Sequence, residues 1–346
     1  MKHMRKILSL LLAVTVIFSL TGCIQNLKLG SNAVKNIDKK EPAAVSAASG
    51  TENAASGTAA VESVLSPAES EVLSESSAEP AAVSQPAAEE VTSEVIAFDP
   101  SWEYAANSKI NSGTATLYHA KPTGSRGIVV CVNAGHGTKG GSDVKTLCHP
   151  DGSPKVTGGT TESGATEAMA VSSGMTFLDG TPEAAVTLKL ALVLKDKLLD
   201  AGFDVLMIRE TDDVQLDNIA RTVMANNMAD CHIALHYDST DFDKGVFFFS
   251  VPSADVYRSM EPVASHWQEH NALGEALVSS LELAGFKLFE GGAMEMDLTQ
   301  TSYSTVPSVD IEVGDAASKY TDDILNSTAD GLVLGVDSFF KANPKS

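Results

Sequence analysis

Cysteine is scarce in this chain, with four residues in 346, too few for a disulfide scaffold. Basic residues are also short: 24 Lys and Arg stand against 45 Asp and Glu, and the formal net charge is −21. That deficit argues against nucleic acid, whose phosphates select basic surfaces. It also opposes electrostatic docking on anionic lipid or on a polyanionic wall polymer. The Gly140-Gly141 and Gly158-Gly159 pairs lack any P-loop or dinucleotide-binding context. No segment repeats. Aromatic residues are absent from 24–97, and a single long apolar run occurs, Ile7 to Leu20.

What is present divides into three pieces. Residues 1–22 pair a basic start (Lys2, Arg5, Lys6) with that apolar run, which is short for a membrane span and reads as a secretory signal peptide. It ends Leu20-Thr21-Gly22-Cys23, which resembles a bacterial lipobox, so Cys23 is expected to be the lipidated first residue of the mature chain. Residues 24–98 are rich in Ala, Ser, Glu, Val and Pro, with ten Glu and no Lys or Arg between Glu41 and Val95. Such a composition buries too little apolar area to offset chain entropy, and residues 23–98 are expected to be a disordered tether. As a random coil it would span roughly 50 Å.

Residues 99–346 have the texture of one α/β domain. Apolar runs bounded by turns predict buried strands at 128–132, 205–208, 232–235, 246–249 and 309–313. Amphipathic patterns predict helices over 183–200, 216–227, 263–284 and 320–341, the first with Thr181 as N-cap, Pro182 at N1 and Gly202 closing its far end. Their alternation implies a mainly parallel twisted central sheet with helices on both faces. Residues 99–127 form an N-terminal extension with one further possible strand, 115–119, that the pattern does not place.

Ligand sites in open α/β sheets lie beyond the carboxyl ends of the strands. Two predicted strands end there in histidine, one leading into Asn133-Ala134-Gly135-His136-Gly137 and the other into His236-Tyr237-Asp238. Glu183 opens the helix after a long Gly, Ser and Thr-rich loop. Two His and one carboxylate with an open fourth position are the ligand set of a hydrolytic zinc site. Glu162 and Glu167, in the same loop, are rival ligands, but neither precedes a convincing helix.

The ordered motifs resemble the zinc-dependent N-acetylmuramoyl-L-alanine amidase family (Amidase_3 type) over about residues 128–340. They are Gly135-His136-Gly137, Glu183 after Thr181-Pro182, Arg209 to Asp213, Arg221 with Ala225-Asn226, Ala229-Asp230 before His236, and Pro307 before Glu312 and Gly314. The resemblance implies one Zn²⁺ held by His136, Glu183 and His236, with Glu312 moving the proton in hydrolysis of the lactyl–L-alanine amide of peptidoglycan. Together with the lipobox-like Leu20-Thr21-Gly22-Cys23, that reading gives an expected protein anchored through Cys23 on the outer face of a bacterial cytoplasmic membrane, facing the wall. Asn133, Tyr237, Asp238 and His270 are expected at the substrate. Two departures fall near the ligands. The family turn usually reads Asp-Pro-Gly-His-Gly-Gly, whereas Asn133 and Ala134 precede Gly135 here and Thr138 follows Gly137. Tyr237-Asp238 replaces the usual small residue and Asn. Residues 138–180 are expected to be an ordered loop over the substrate groove.

Two other readings compete. His266-Trp267-Gln268-Glu269-His270 matches the H-x-x-E-H pattern of inverzincin metallopeptidases. An amidase fold without turnover could instead serve as a wall-binding or regulatory lipoprotein, although all three expected ligands and the expected base are present. Cys131 and Cys231 each lie five residues before a ligand His and are expected level on nearby strands as buried thiols.

Overall fold

The strands are β1 (Thr92–Ala97), β2 (Thr114–His119), β3 (Val129–Ala134), β4 (Lys145–Leu147), β5 (Glu167–Met169), β6 (Asp204–Met207), β7 (Cys231–Asp238), β8 (Val246–Ser250), β9 (Leu288–Glu295) and β10 (Ser308–Asp315). The helices are α1 (Glu183–Asp200), α2 (Asn218–Met228), α3 (Asp255–Arg258), α4 (Val263–Leu283), α5 (Thr299–Tyr303) and α6 (Asp322–Ala342). These come from a computed structural model that describes residues 90–345. The signal peptide, Cys23 and most of the expected tether lie outside the described residues.

Eight strands form one sheet in the order β1-β2-β6-β3-β7-β10-β8-β9, and β4-β5 make a separate hairpin. The four central strands β6, β3, β7 and β10 are parallel, while β2 joins β6 and β8 joins β10 antiparallel. This is the mainly parallel sheet that the alternation of elements implied. The strand the sequence could not place is β2, and it extends the sheet past β6. The expected tether boundary at residue 98 is wrong, because Thr92–Ala97 forms β1 in six-residue register with β2. Its alternation is weak and five of its six residues are exposed, which is why composition assigned it to the tether. The edge strand β9 was also missed. It carries Gly291 and Gly292 at positive φ, and a shift in its register with β8 breaks the pattern.

The two-residue period of the strands sorts side chains between two layers. Val130, Val132, Val205, Met207, Ile233, Leu235, Val309 and Ile311 join the main core with α1, α4 and α6. Cys131, Leu206 and Ile208 face the other way, against Leu216 and the α2 residues Ala220, Met224 and Ala225. Cys131 and Cys231 are therefore one step out of level on adjacent strands and in opposite cores, both free and buried.

Helix α1 runs where the sequence placed it, and its buried Leu190, Leu194 and Leu198 each contribute about 1.5–3 kcal/mol of transfer free energy. The cap is Pro182 rather than Thr181. The free N–H of Glu183 bonds to the Met175 carbonyl at 3.0 Å, so the preceding loop takes the place of a side-chain cap. At the far end Gly202 sits at φ 86°, and a Cβ there would meet the Gly124 carbonyl at 2.2 Å. Asp217 caps helix α2: its carboxylate accepts from Ala220 N at 2.8 Å and also from the backbone of Lys109 and Ile110. One buried cap thus fastens the chain before β2 to the layer behind the central strands.

Candidate metal centre

Strand β3 ends at Ala134, and the chain must turn at once to bring a side chain over the carboxyl edge of β7. Gly135 makes this possible. A Cβ there would meet His236 Cε1 at 2.4 Å and the Leu235 carbonyl at 2.6 Å. His136 follows at φ 63°, a left-handed conformation that costs a residue with a side chain about 1–3 kcal/mol. Two fully buried arginines hold it there. Arg221 donates to the His136 carbonyl at 2.6 Å, to Ala134 O at 3.3 Å and to Asn133 Oδ1 at 3.0 Å. Arg209 donates to Gly135 O at 3.0 Å and to Ala184 O in α1 at 2.8 Å, tying the histidine turn to the helix that carries Glu183.

Three donors converge at this edge. His136 Nε2 lies 2.9 Å from Glu183 Oε1, and His236 Nδ1 lies 3.1 Å from the same oxygen and 3.1 Å from His136 Nε2. The imidazole planes stand at 90°. A tetrahedral ion with bonds of about 2.0–2.1 Å holds its ligands about 3.3 Å apart, so the triangle needs only a slight opening to accept one. Among the described residues no other group of three His, Cys, Asp or Glu side chains brings its donor atoms together in this way.

Surrounding groups fix how His136 and Glu183 present their donors. His136 Nδ1 donates to the Ser172 carbonyl at 2.9 Å, which leaves the Nε2 lone pair toward the triangle. Glu183 Oε1 accepts from Tyr237 N at 3.0 Å and Oε2 from Met175 N at 2.8 Å. Burial would raise the Glu183 carboxyl, but hydrogen bonding to His136 and His236 holds it well below the usual carboxylate range. Gly174, at φ 82°, lets the loop close over the pair, since a Cβ would meet His136 Cδ2 at 2.7 Å and Glu183 Oε2 at 2.8 Å.

Glu312 stands level with His236 in the parallel β7–β10 ladder and is buried, with Oε2 lacking a partner. Burial pushes its carboxyl well above the ordinary value, opposed by His236 and assisted by Glu183 and Asp310. A carboxyl so placed, beside His236 and with one oxygen free, is positioned to exchange a proton with a molecule at the centre.

The four residues expected at the substrate have other tasks. Asn133 is buried and accepts from Arg221. Tyr237 is buried, its ring against Phe177 at 5.0 Å, and it reaches the centre only through its backbone N–H. Asp238 is bound to Lys244 Nζ at 2.9 Å and to Thr240 N at 2.9 Å. His270 is not at the groove at all: it is buried at the amino end of β10, where Nδ1 accepts from Ser308 N at 3.0 Å. The helical face was read correctly, but it looks into the core.

The rivals fall away on the same evidence of position. Glu162 and Glu167 are exposed. His266 pairs with Glu269 at 3.4 Å while His270 turns inward, and among the described residues no third ligand joins them. The loop 138–180 is ordered, with Ser172 to Met175 walling the centre. Its middle is moored by Asp297, fully buried, which accepts from Val156 N at 2.6 Å and pairs with Lys155 Nζ at 2.9 Å and His149 Nε2 at 3.3 Å. Sequence reading assigned no role to Ser172, Gly174 or Asp297, and it had Arg209 and Arg221 only as landmarks. Isolated basic residues inside apolar stretches were the available signal for the two arginines.

The fold recurs in solved amidases. Ami1 from Mycobacterium smegmatis, an N-acetylmuramyl-L-alanine amidase, superposes with a TM-score of 0.51 at 18% identity, covering 62% of this chain and 98% of that one. Ami1 from Mycobacterium abscessus gives a TM-score of 0.49 at 19% identity, over 62% of this chain and 99% of that one. The N-acetylmuramoyl-L-alanine amidase of Clostridium difficile 630 gives 0.45 at 17% identity, over 64% and 100%. No curated protein matches the sequence at a significant level. The Amidase_3 profile, described as N-acetylmuramoyl-L-alanine amidase, matches residues 130–332, a span that contains His136, Glu183, His236 and Glu312. The chain belongs to the Amidase_3 family of N-acetylmuramoyl-L-alanine amidases.

Proposed function

We propose that this chain is a zinc-dependent amidase that cleaves the bond between the lactyl group of N-acetylmuramic acid and L-alanine in peptidoglycan. The observation that carries the reading is the donor triangle of His136, Glu183 and His236, with His136 held by the Ser172 carbonyl and Glu183 by the backbone N–H groups of Met175 and Tyr237. Imidazole and carboxylate donors suit Zn²⁺, which when bound supplies a Lewis acid and lowers the pKa of water.

The remaining steps belong to the chain's own groups. Glu312 takes the proton of the attacking water and later returns it to the departing L-alanine amine. Burial raises its carboxyl above the ordinary value, which favours the proton-holding form that the second transfer needs. Arg209 and Arg221 hold the His136 turn rigid, and the Ser172–Met175 segment excludes solvent from one side. The deciding experiment measures zinc in the purified protein and identifies the bond cut in muropeptides by mass spectrometry. Release of stem peptides with a free L-alanine amine is expected. Cleavage between amino acids, or zinc binding without hydrolysis, would overturn the reading, the second in favour of a wall-binding role.

We further propose that acyl chains on Cys23 hold the protein at the outer face of the membrane, since its acidic charge opposes adhesion to anionic surfaces. Substituting Cys23→Ala should release the protein into the medium and abolish labelling by a fatty-acid probe. Retention in the membrane fraction would refute the anchor.

A further inference from the structure

Strand β10 places Val309, Ile311 and Val313 in the main core and so turns Asp310 and Glu312 to the opposite face, toward His236. Glu312 has a task in the chemistry above, and Asp310 has none. Its side chain is costly where it stands: Oδ1 is buried without a hydrogen-bond partner. That oxygen lies 3.5 Å from His236 Nε2. Ala234, level with Asp310 on β7, has only a methyl group beside it.

The two ligand histidines present opposite nitrogens to the triangle. His136 uses Nε2 and secures its Nδ1–H on the Ser172 carbonyl. His236 uses Nδ1, so its proton must sit on Nε2, and that atom faces Asp310. A neutral imidazole divides its proton between two tautomers unless an acceptor selects one.

We propose that Asp310 is a positioning residue that accepts the Nε2–H of His236 and so fixes the tautomer and ring orientation that offer Nδ1 to the metal ion. A metal ion on Nδ1 would make the opposite N–H a stronger donor toward the Asp310 carboxylate. The proposal rests on the metal-centre reading above. It concerns a residue outside the ligand set and outside proton transfer to the substrate.

The test compares the full chain with its Asp310→Asn and Asp310→Leu variants. Zinc affinity is measured by competition with a chromophoric chelator, and the His236 tautomer by long-range ¹⁵N–¹H NMR. The expected result is a loss of affinity on the order of 10–100-fold, larger for Leu than for Asn, with the Nε2–H tautomer of His236 no longer dominant. Thermal unfolding without zinc should not fall, since a carboxylate with one buried oxygen lacking a hydrogen bond has been removed. If Asp310→Leu fails to fold, Asp310→Ala, which also removes the acceptor, carries the test in its place. Affinity within twofold of wild type with the Nε2–H tautomer retained would overturn the proposal. A wild-type protein that binds no zinc overturns the metal-centre reading first, and the proposal with it.

Discussion

His232 offers a direct test of the packing, because it is a fully buried imidazole with neither ring nitrogen hydrogen-bonded. Burial, assisted by the Arg221 charge, pushes it down to about 3, and His270 is pushed down to about 3 by burial and by His266 and His232. Both are therefore neutral in the folded protein, while the unfolded chain titrates near 6.5. A histidine with a lowered folded pKa leaves stability intact above about pH 6.5 and removes it as pH falls toward 3. At pH 5 each should cost about 2 kcal/mol, or about 4 kcal/mol together. Asp310 and Glu312, raised by burial, titrate in the opposite sense, so the wild-type profile is a composite. The comparison with His232→Leu isolates one term. Urea denaturation should find the variant within about 1 kcal/mol of wild type at pH 7.5, since a ring without hydrogen bonds is replaced by a side chain of similar volume. At pH 5.0 its stability relative to wild type should have risen by about 2 kcal/mol. An unchanged difference between the two pH values would refute the assignment of His232 as a buried neutral group.

Three more substitutions probe the site. Glu312→Gln should retain one zinc per chain and lose nearly all muropeptide hydrolysis; metal analysis beside turnover checks it, and an active, zinc-loaded variant defeats the proton-transfer role. Gly135→Ala drives a methyl into His236 and the Leu235 carbonyl, so zinc should no longer co-purify even if the circular dichroism stays native. Asp297→Ala strands Lys155 and His149 without their shared carboxylate and should cost about 3 kcal/mol. Protease cleavage within residues 138–180 should then precede global unfolding, and equal resistance to wild type would contradict the mooring.

Much of this arrangement could be read from the sequence because its signals are local. Glu183 was found because Pro182 and the apolar period of α1 mark a helix start, and His136 and His236 because each ends an apolar run. The groups that were misplaced or missed depend on distance across the fold. Tyr237 was expected at the substrate because it adjoins a ligand, yet the strand period sends its ring into the opposite core. His270 lies on the helical face its spacing implies, but only the packing of α4 beside the start of β10 shows that this face is buried. Asp297 lies 142 residues from the Lys155 it binds, and no pattern at either position announces the other. The strand β1 was missed for a related reason, because an edge strand with both faces largely exposed needs no alternation.

The two buried arginines bear on how the candidate centre carries so much acid while the space between its donors stays clear of a protein cation. Glu183, Asp310 and Glu312 crowd around two histidines, and a guanidinium placed against any of them would occupy the position an ion needs. Arg209 and Arg221 instead spend their donors on neutral oxygens: the carbonyls of Ala134, Gly135, His136, Ala184, Thr211 and Leu216, with Asn133 Oδ1 and two threonine hydroxyls. Burial lowers Arg209 to about 10 and Arg221 to about 9, both still protonated at neutral pH. Their charge therefore acts on the carboxylates through space while their hydrogen bonds hold the strained turn at His136. A lysine in either position could not fill so many divergent acceptors and would be free to swing toward a carboxylate. The same two residues thus stabilise a left-handed histidine and keep the donor triangle open for a metal.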